Sequence, residues 1–256
     1  MNVVLEYELE ARLLTASYPF ECDAWVTLKN EQSKSLEKFT FYIHPELEIT
    51  AITDSKDNVL PFETELVIYP YSYTCTARKI EIILLQPLPS KKQERIKFCY
   101  QGWFNRSQIR SRSDYMHIDV EGAYLRGFGY SLWFPVLAAS DADYNMSAKF
   151  KLSLDIPRNW RPLAFGNLLS ESVKEERNYS QWETVKPLRL SMTQLSAAPW
   201  KVIGTDQLKI YHLPSGDSEK AAKIYADIGI ELVRFFDRHY GAGLPKQTFY
   251  FAEMDI

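Results

Sequence analysis

The sequence predicts a mainly β protein, a large antiparallel β-sandwich followed by one long helix and a short strand. The stretch S-A-K-F-K-L-S-L-D-I at 147–156 alternates polar and apolar residues without a break, the period of a strand buried on one face. Similar alternation recurs over most of the chain before Asp217. From Asp217 to Tyr240 the apolar residues instead return at helical spacing, the mark of an amphipathic helix.

Residues 3–13 place Val3, Leu5, Tyr7, Leu9, Ala11 and Leu13 on one face, against Glu6, Glu8, Glu10 and Arg12. C-D-A-W-V-T-L-K at 22–29 reads as a second strand, closed by Asn30. A third runs over 38–44 and stops at Pro45, which cannot donate to a ladder. Residues 47–53 follow, with D-S-K-D-N at 54–58 as a turn. Strands are then expected over 65–69, 77–85, 94–100, 116–120, 132–136, 148–156, 179–185 and 207–213. Short strands so closely spaced suggest a sandwich rather than βαβ units. The helix over 217–240 carries Ala221, Tyr225, Ile228, Leu232, Phe235, Phe236 and Tyr240 on one stripe. Asp217 or Ser218 is its expected N-cap and Gly241 its C-terminal stop. A last apolar strand is expected over 248–252, and the domain boundary near Gly204.

With 256 residues, 46% of them hydrophobic, the chain can bury a substantial core. A net charge of −3 gives no general attraction to nucleic acid or anionic membrane. Cys22, Cys75 and Cys99 are odd in number and form no C-x-x-C pair. They fit buried thiols in a reducing compartment. The amino terminus enters strand pattern at once, and no stretch is apolar for long enough to span a bilayer. These features predict a soluble, cytoplasmic protein.

Each candidate for chemistry has a plainer explanation. His117, Asp119 and Glu121 would share one strand face if they alternate, but a closed metal site needs three or four converging ligands, and a solvated face explains them better. His44 reads as a surface histidine at a strand end. No G-x-S-x-G occurs, and the cysteines sit inside strand patterns, where inert thiols are the rule. Arg106, Arg110 and Arg112, near aromatic residues, leave too small a basic footprint for nucleic acid. Trp103, Tyr115, Tyr130 and Trp133 could stack on a sugar, yet aromatics in β-rich segments are more often core.

Several segments together resemble the aminopeptidase N family of zinc metallopeptidases, the gluzincins. V-T-L-K-N at 26–30 and F-Y-I-H-P-E-L-E-I-T-A-I at 41–52 resemble its opening strands. L-W-F-P-V at 132–136, A-K-F-K-L-S-L-D-I-P-R-N-W at 148–160 and L-A-F-G-N at 163–167 are similar to its next block. K-I-Y-H-L-P at 209–214 and Y-G-A-G-L-P-K-Q-T-F-Y-F at 240–251 look like the opening of its catalytic domain. The departures bear on function. A-E-M-D-I at 252–256 stands in place of the amine-binding G-x-M-E-N, and H-E-x-x-H is absent. Y-L-R-G-F-G-Y at 124–130 replaces the T-Q-x-E turn that supplies a substrate-contacting glutamine.

The resemblance therefore implies an N-terminal β-domain at 1–204 and, at 205–256, the start of an incomplete thermolysin-like α/β catalytic domain. It implies no catalytic or metal residue and no cofactor in this chain, with zinc and peptide substrate belonging to a full-length parent. Arg126 and Tyr130 would border the substrate pocket there. A truncated or partial copy of a longer protein is expected, and an in-frame H-E-x-x-H beyond Ile256 would mark one. The alternative is a standalone β-sandwich scaffold without enzymatic activity, with a protein partner on helix 217–240 and neither nucleic acid nor membrane as a ligand.

Overall fold

The computed structural model describes residues 2–17, 19–69, 76–104, 116–125, 132–138, 146–205, 208–240 and 249–252. The chain divides into two compact units, Met1–Ala197 and Ala198–Ile256. The first is built from β1 (Asn2–Leu13), β2 (Phe20–Asn30), β3 (Leu36–Ile43), β4 (Leu47–Thr53), β5 (Phe62–Ile68), β6 (Thr76–Leu88) and β7 (Gln93–Gly102). It continues with β8 (His117–Ile118), β9 (Ala123–Leu125), β10 (Val136–Leu137), β11 (Ser147–Pro157), β12 (Arg161–Ala164), β13 (Asn167–Lys174), β14 (Arg177–Glu183), β15 (Leu188–Arg189) and β16 (Leu195–Ala198).

The largest sheet runs β13-β14-β11-β1-β2-β7-β4, with β15 on β11. Its pairs are antiparallel except β1 with β11, which run parallel from Glu6↔Lys149 to Arg12↔Asp155. Alternation decides its faces. Phe20, Cys22, Ala24, Val26 and Leu28 of β2 are buried, and so are Ala148, Phe150, Leu152, Leu154 and Ile156 of β11. The opposite face carries Glu8 against Arg95 at 2.5 Å and Lys97 4.7 Å from the Trp25 ring. Such exposed pairs add little stability.

A second sheet, β10-β3-β6-β5, packs its apolar face on the first, Phe41 of β3 meeting Phe98 of β7 at 4.9 Å between ring centres. A third, small sheet runs β12-β16-β9-β8. The sequence expectation of a mainly β, mostly antiparallel protein with one long helix is met. Particular elements differ from it. The register of β1 against β2 shifts between Val4 and Glu6, so Val4 is buried and Leu5 is not. A bulge inserts one residue and reverses the facing of everything before it, which a strict alternation from Val3 misses. Residues 132–135 form no strand, yet Leu132, Trp133 and Phe134 are buried.

That irregular segment inserts into the centre of the core. Phe134 lies 5.0 Å from both Tyr7 and Trp133, and Phe150 stacks on Tyr7 at 5.0 Å. The Trp133 indole donates to the Thr193 carbonyl at 3.0 Å, and the Trp133 carbonyl accepts from the Tyr100 hydroxyl at 3.2 Å. An irregular stretch survives burial because its polar groups find such partners.

His44 is not the surface residue its strand-end position suggests. Its ring is half-buried 4.9 Å from Phe104, and its Nδ1 accepts the Glu46 amide at 3.3 Å. Loss of hydration pushes its pKa down to about 4. The unfolded value is near 6.5. Its contribution to stability is therefore complete above pH 6.5 and drains away as pH falls toward 4. We expect acidification from pH 7 to 4.5 to cost the native protein about 1–3 kcal/mol through this ring. The check is urea unfolding of wild type and His44→Leu at both pH values. The variant should lose less stability, and identical losses would refute the assignment.

Candidate functional site

The residues singled out from sequence scatter. Arg126 and Tyr130 lie outside the described residues. So do Tyr115, Cys75 and the arginines between 105 and 115. β9 leads toward that stretch and ends at Leu125, with Tyr124 buried 4.8 Å from the His117 ring. Trp133 is core, whereas Trp103 is 55% exposed, so the two do not share an aromatic platform.

His117 belongs to β8, but Asp119 does not alternate with it on a strand. Its Oδ1 instead accepts the amides of Glu121 at 2.9 Å and Gly122 at 3.2 Å, closing the turn between β8 and β9. Among the described residues no group of three or more His, Cys, Asp or Glu side chains converges to hold a metal. The donor set among the described residues does not fit zinc. Burial pushes the Cys22 thiol up to about 12. It also raises Cys99, with the nearby Asp23 carboxylate adding to the effect. Thiols that resist ionisation are not activated nucleophiles.

The second unit holds a concave feature that its own described residues build. β17 (Lys201–Gly204) pairs antiparallel with β18 (Leu208–His212), α1 (Gly216–Tyr240) follows, and β19 (Phe249–Ala252) returns parallel to β18. Strand, helix and parallel strand make a βαβ unit. The helix starts earlier than its sequence signals suggest. Ser215 caps it, its Oγ accepting the Ser218 amide at 3.1 Å. Asp217 and Glu219 fall in the first turn and Arg238 and His239 in the last, the arrangement that suits the helix dipole.

The helix rests on its sheet through small residues. Ala222 and Ala226 bury against Leu208 and Ile210, with Ile203 and Ile230 beside them. Gly229 lets the helix approach closely, since a Cβ there would lie 2.5 Å from a Leu208 methyl. The large apolar stripe read from sequence faces away from that contact. Tyr225, Ile228, Leu232, Phe235 and Phe236 are 45–65% exposed. Between this stripe and β18–β19 runs a groove of about 350 Å³, lined by Ile210, His212, Tyr225, Ile228, Leu232 and Phe251. Among the described residues no helix is long and apolar enough to cross a membrane.

This architecture is that of the N-terminal part of M1 zinc metallopeptidases. The M1 zinc metallopeptidase of Deinococcus radiodurans matches 100% of this chain with a TM-score of 0.64 at 14% identity. A mutant of that enzyme matches equally well at 15% identity, and the mutant bound to a Tyr-Ser-Ala substrate at a TM-score of 0.62. The chain spans 57% of the length of each of these structures. At such identity the likeness establishes the fold. No family model matches the sequence, and no curated protein matches it.

Proposed function

We propose that the chain is the N-terminal, non-catalytic portion of an aminopeptidase N-like zinc metallopeptidase. Residues 1–204 would be the β-domain that flanks substrate access, and 205–256 the opening of a catalytic domain. The observation that supports this reading most is the match of the entire chain to an M1 zinc metallopeptidase structure. The order of the family-like segments along the sequence agrees with it. In this reading Arg126 and Tyr130 border the peptide pocket of the full-length enzyme, and the zinc that activates water is bound by residues outside this chain. Free thiols at Cys22 and Cys99 suit a reducing, cytoplasmic setting.

A second reading has its own support in the exposed stripe of α1, a ready interface for a protein scaffold without enzymatic activity. The native product separates the two. An antibody against this chain should recover from cells a polypeptide well above 29.8 kDa, with chelator-sensitive release of amino acids from aminoacyl-coumarins. The isolated 256-residue chain should show none. A recovered product of 29.8 kDa without peptidase activity would overturn the enzyme reading and leave the scaffold.

A further inference from the structure

One flank of α1 faces its sheet and the other is exposed. Ala222, Ala226 and Gly229 lie against β18, so a second helix reaches the apolar stripe from the opposite flank. That flank is charged in a set order. Asp227, Glu231, Arg234 and Arg238 recur at the spacing of one helix face. All four are exposed, and they line a hollow of about 580 Å³ beside Ile228, Leu232 and Phe235. The two acids come first and the two arginines last. Asp227 and Arg238 stand equally far on either side of the point between Leu232 and Val233, and so do Glu231 and Arg234. Reversing the helix direction therefore lays each acid on an arginine.

We propose that α1 packs antiparallel against α1 of a second copy of this chain, about a two-fold axis beside Leu232. In an antiparallel two-fold pair the same flank of each helix meets its own copy. Asp227 of one chain then faces Arg238 of the other, twice by symmetry. Glu231 and Arg234, 2.6 Å apart within each helix, meet the same two residues reversed at the axis. A parallel pair would set this flank against the opposite one, which the sheet occupies. Ile228, Leu232 and Phe235, 47–53% exposed in the single chain, leave water between the two helices. Charge order, rather than apolar area, selects the partner, because another helix would need the same signs at the same heights. The proposal rests on the scaffold reading of α1 as an interface and names what binds there.

The test is sedimentation equilibrium of the 256-residue chain at concentrations up to about 100 μM. Wild type should form a species of twice 29.8 kDa. Asp227→Arg and Arg238→Glu each set like charges opposite one another at two symmetric points, and each should weaken the dimer about tenfold. An equimolar mixture of the two variants should associate as tightly as wild type, because each chain then offers the other the opposite sign at both points. Leu232→Glu, beside the axis, should weaken the dimer about tenfold or more. All three substitutions fall at exposed positions of α1, and far-UV circular dichroism checks that each variant is folded. A chain that stays at 29.8 kDa overturns the proposal and leaves the stripe to a different polypeptide. A dimer that survives Leu232→Glu overturns it, as does a mixture that associates no better than either variant alone. None of these results depends on the size or activity of the native product, which decide the scaffold reading itself, so the two fail separately.

Discussion

Trp133→Ala should destabilise the β-domain by about 4 kcal/mol and lower its thermal midpoint by several degrees or more. The indole is fully buried and touches Phe20, Phe134 and Phe165 at ring-centre distances of 5.0–6.4 Å. Its removal leaves a void that close-packed aromatic neighbours cannot fill, which adds a cavity cost to the lost transfer energy. It also strands the Thr193 carbonyl, which accepts from the indole at 3.0 Å. Trp133→Phe retains most of the volume and loses only that hydrogen bond, so it should cost about half as much or less. Denaturant unfolding of the two variants checks this. A Trp133→Ala loss under about 1 kcal/mol would show that the 132–135 segment is not held in the core as described.

Gly204→Ala should melt the second unit locally while the first stays folded. Gly204 has φ +126°, a region closed to residues with a side chain. A Cβ there would also lie 2.1 Å from the Leu208 carbonyl oxygen. That oxygen accepts the Thr205 amide at 2.7 Å and holds the turn between β17 and β18. The cost of such strain is about 2–3 kcal/mol. Among the described residues the unit has little to set against it, because its buried hydrophobic cluster is Leu208, Ile210, Ala222 and Ala226. Amide hydrogen exchange should show protection lost over β17 and β18 and kept in β2 and β11. Unchanged protection in β17 and β18 would refute the prediction.

The β-domain was legible in sequence wherever one face of a strand is buried and the other wet. β11 alternates without fault, so pattern and burial coincide. Legibility fails where another rule competes with alternation. In β14 the buried positions are Asn178 and Ser180, while Tyr179 faces out. Asn178 turns inward because its amide donates to the Trp160 carbonyl at 3.1 Å and to Glu171 at 2.9 Å, partners that no local pattern announces. β13 was missed because all eight of its residues are exposed, so no face is marked by burial. The stripe on α1 was correctly read as large and apolar, but the contact that holds the helix uses Ala222, Ala226 and Gly229, which carry almost no hydrophobic signal. The groove was invisible for a different reason. It is lined by residues of α1, β18 and β19 together, and their meeting is a property of three dimensions.

The parallel pairing of β1 with β11 bears on how this molecule assembles in time. β2 follows β1 after a short connection, so that hairpin can form within about 1–10 μs. The other neighbour of β1 arrives from more than half the chain away, since Glu6 pairs with Lys149. Closing so long a loop is costly before any contact rewards it, which places a sheet of this kind among folders that need milliseconds to seconds. Throughout that interval one side of β1 is an open template for any passing strand. Glu6, Glu8 and Glu10 stand on one face of β1 in succession, and like charges so placed disfavour pairing of β1 with a second copy of itself.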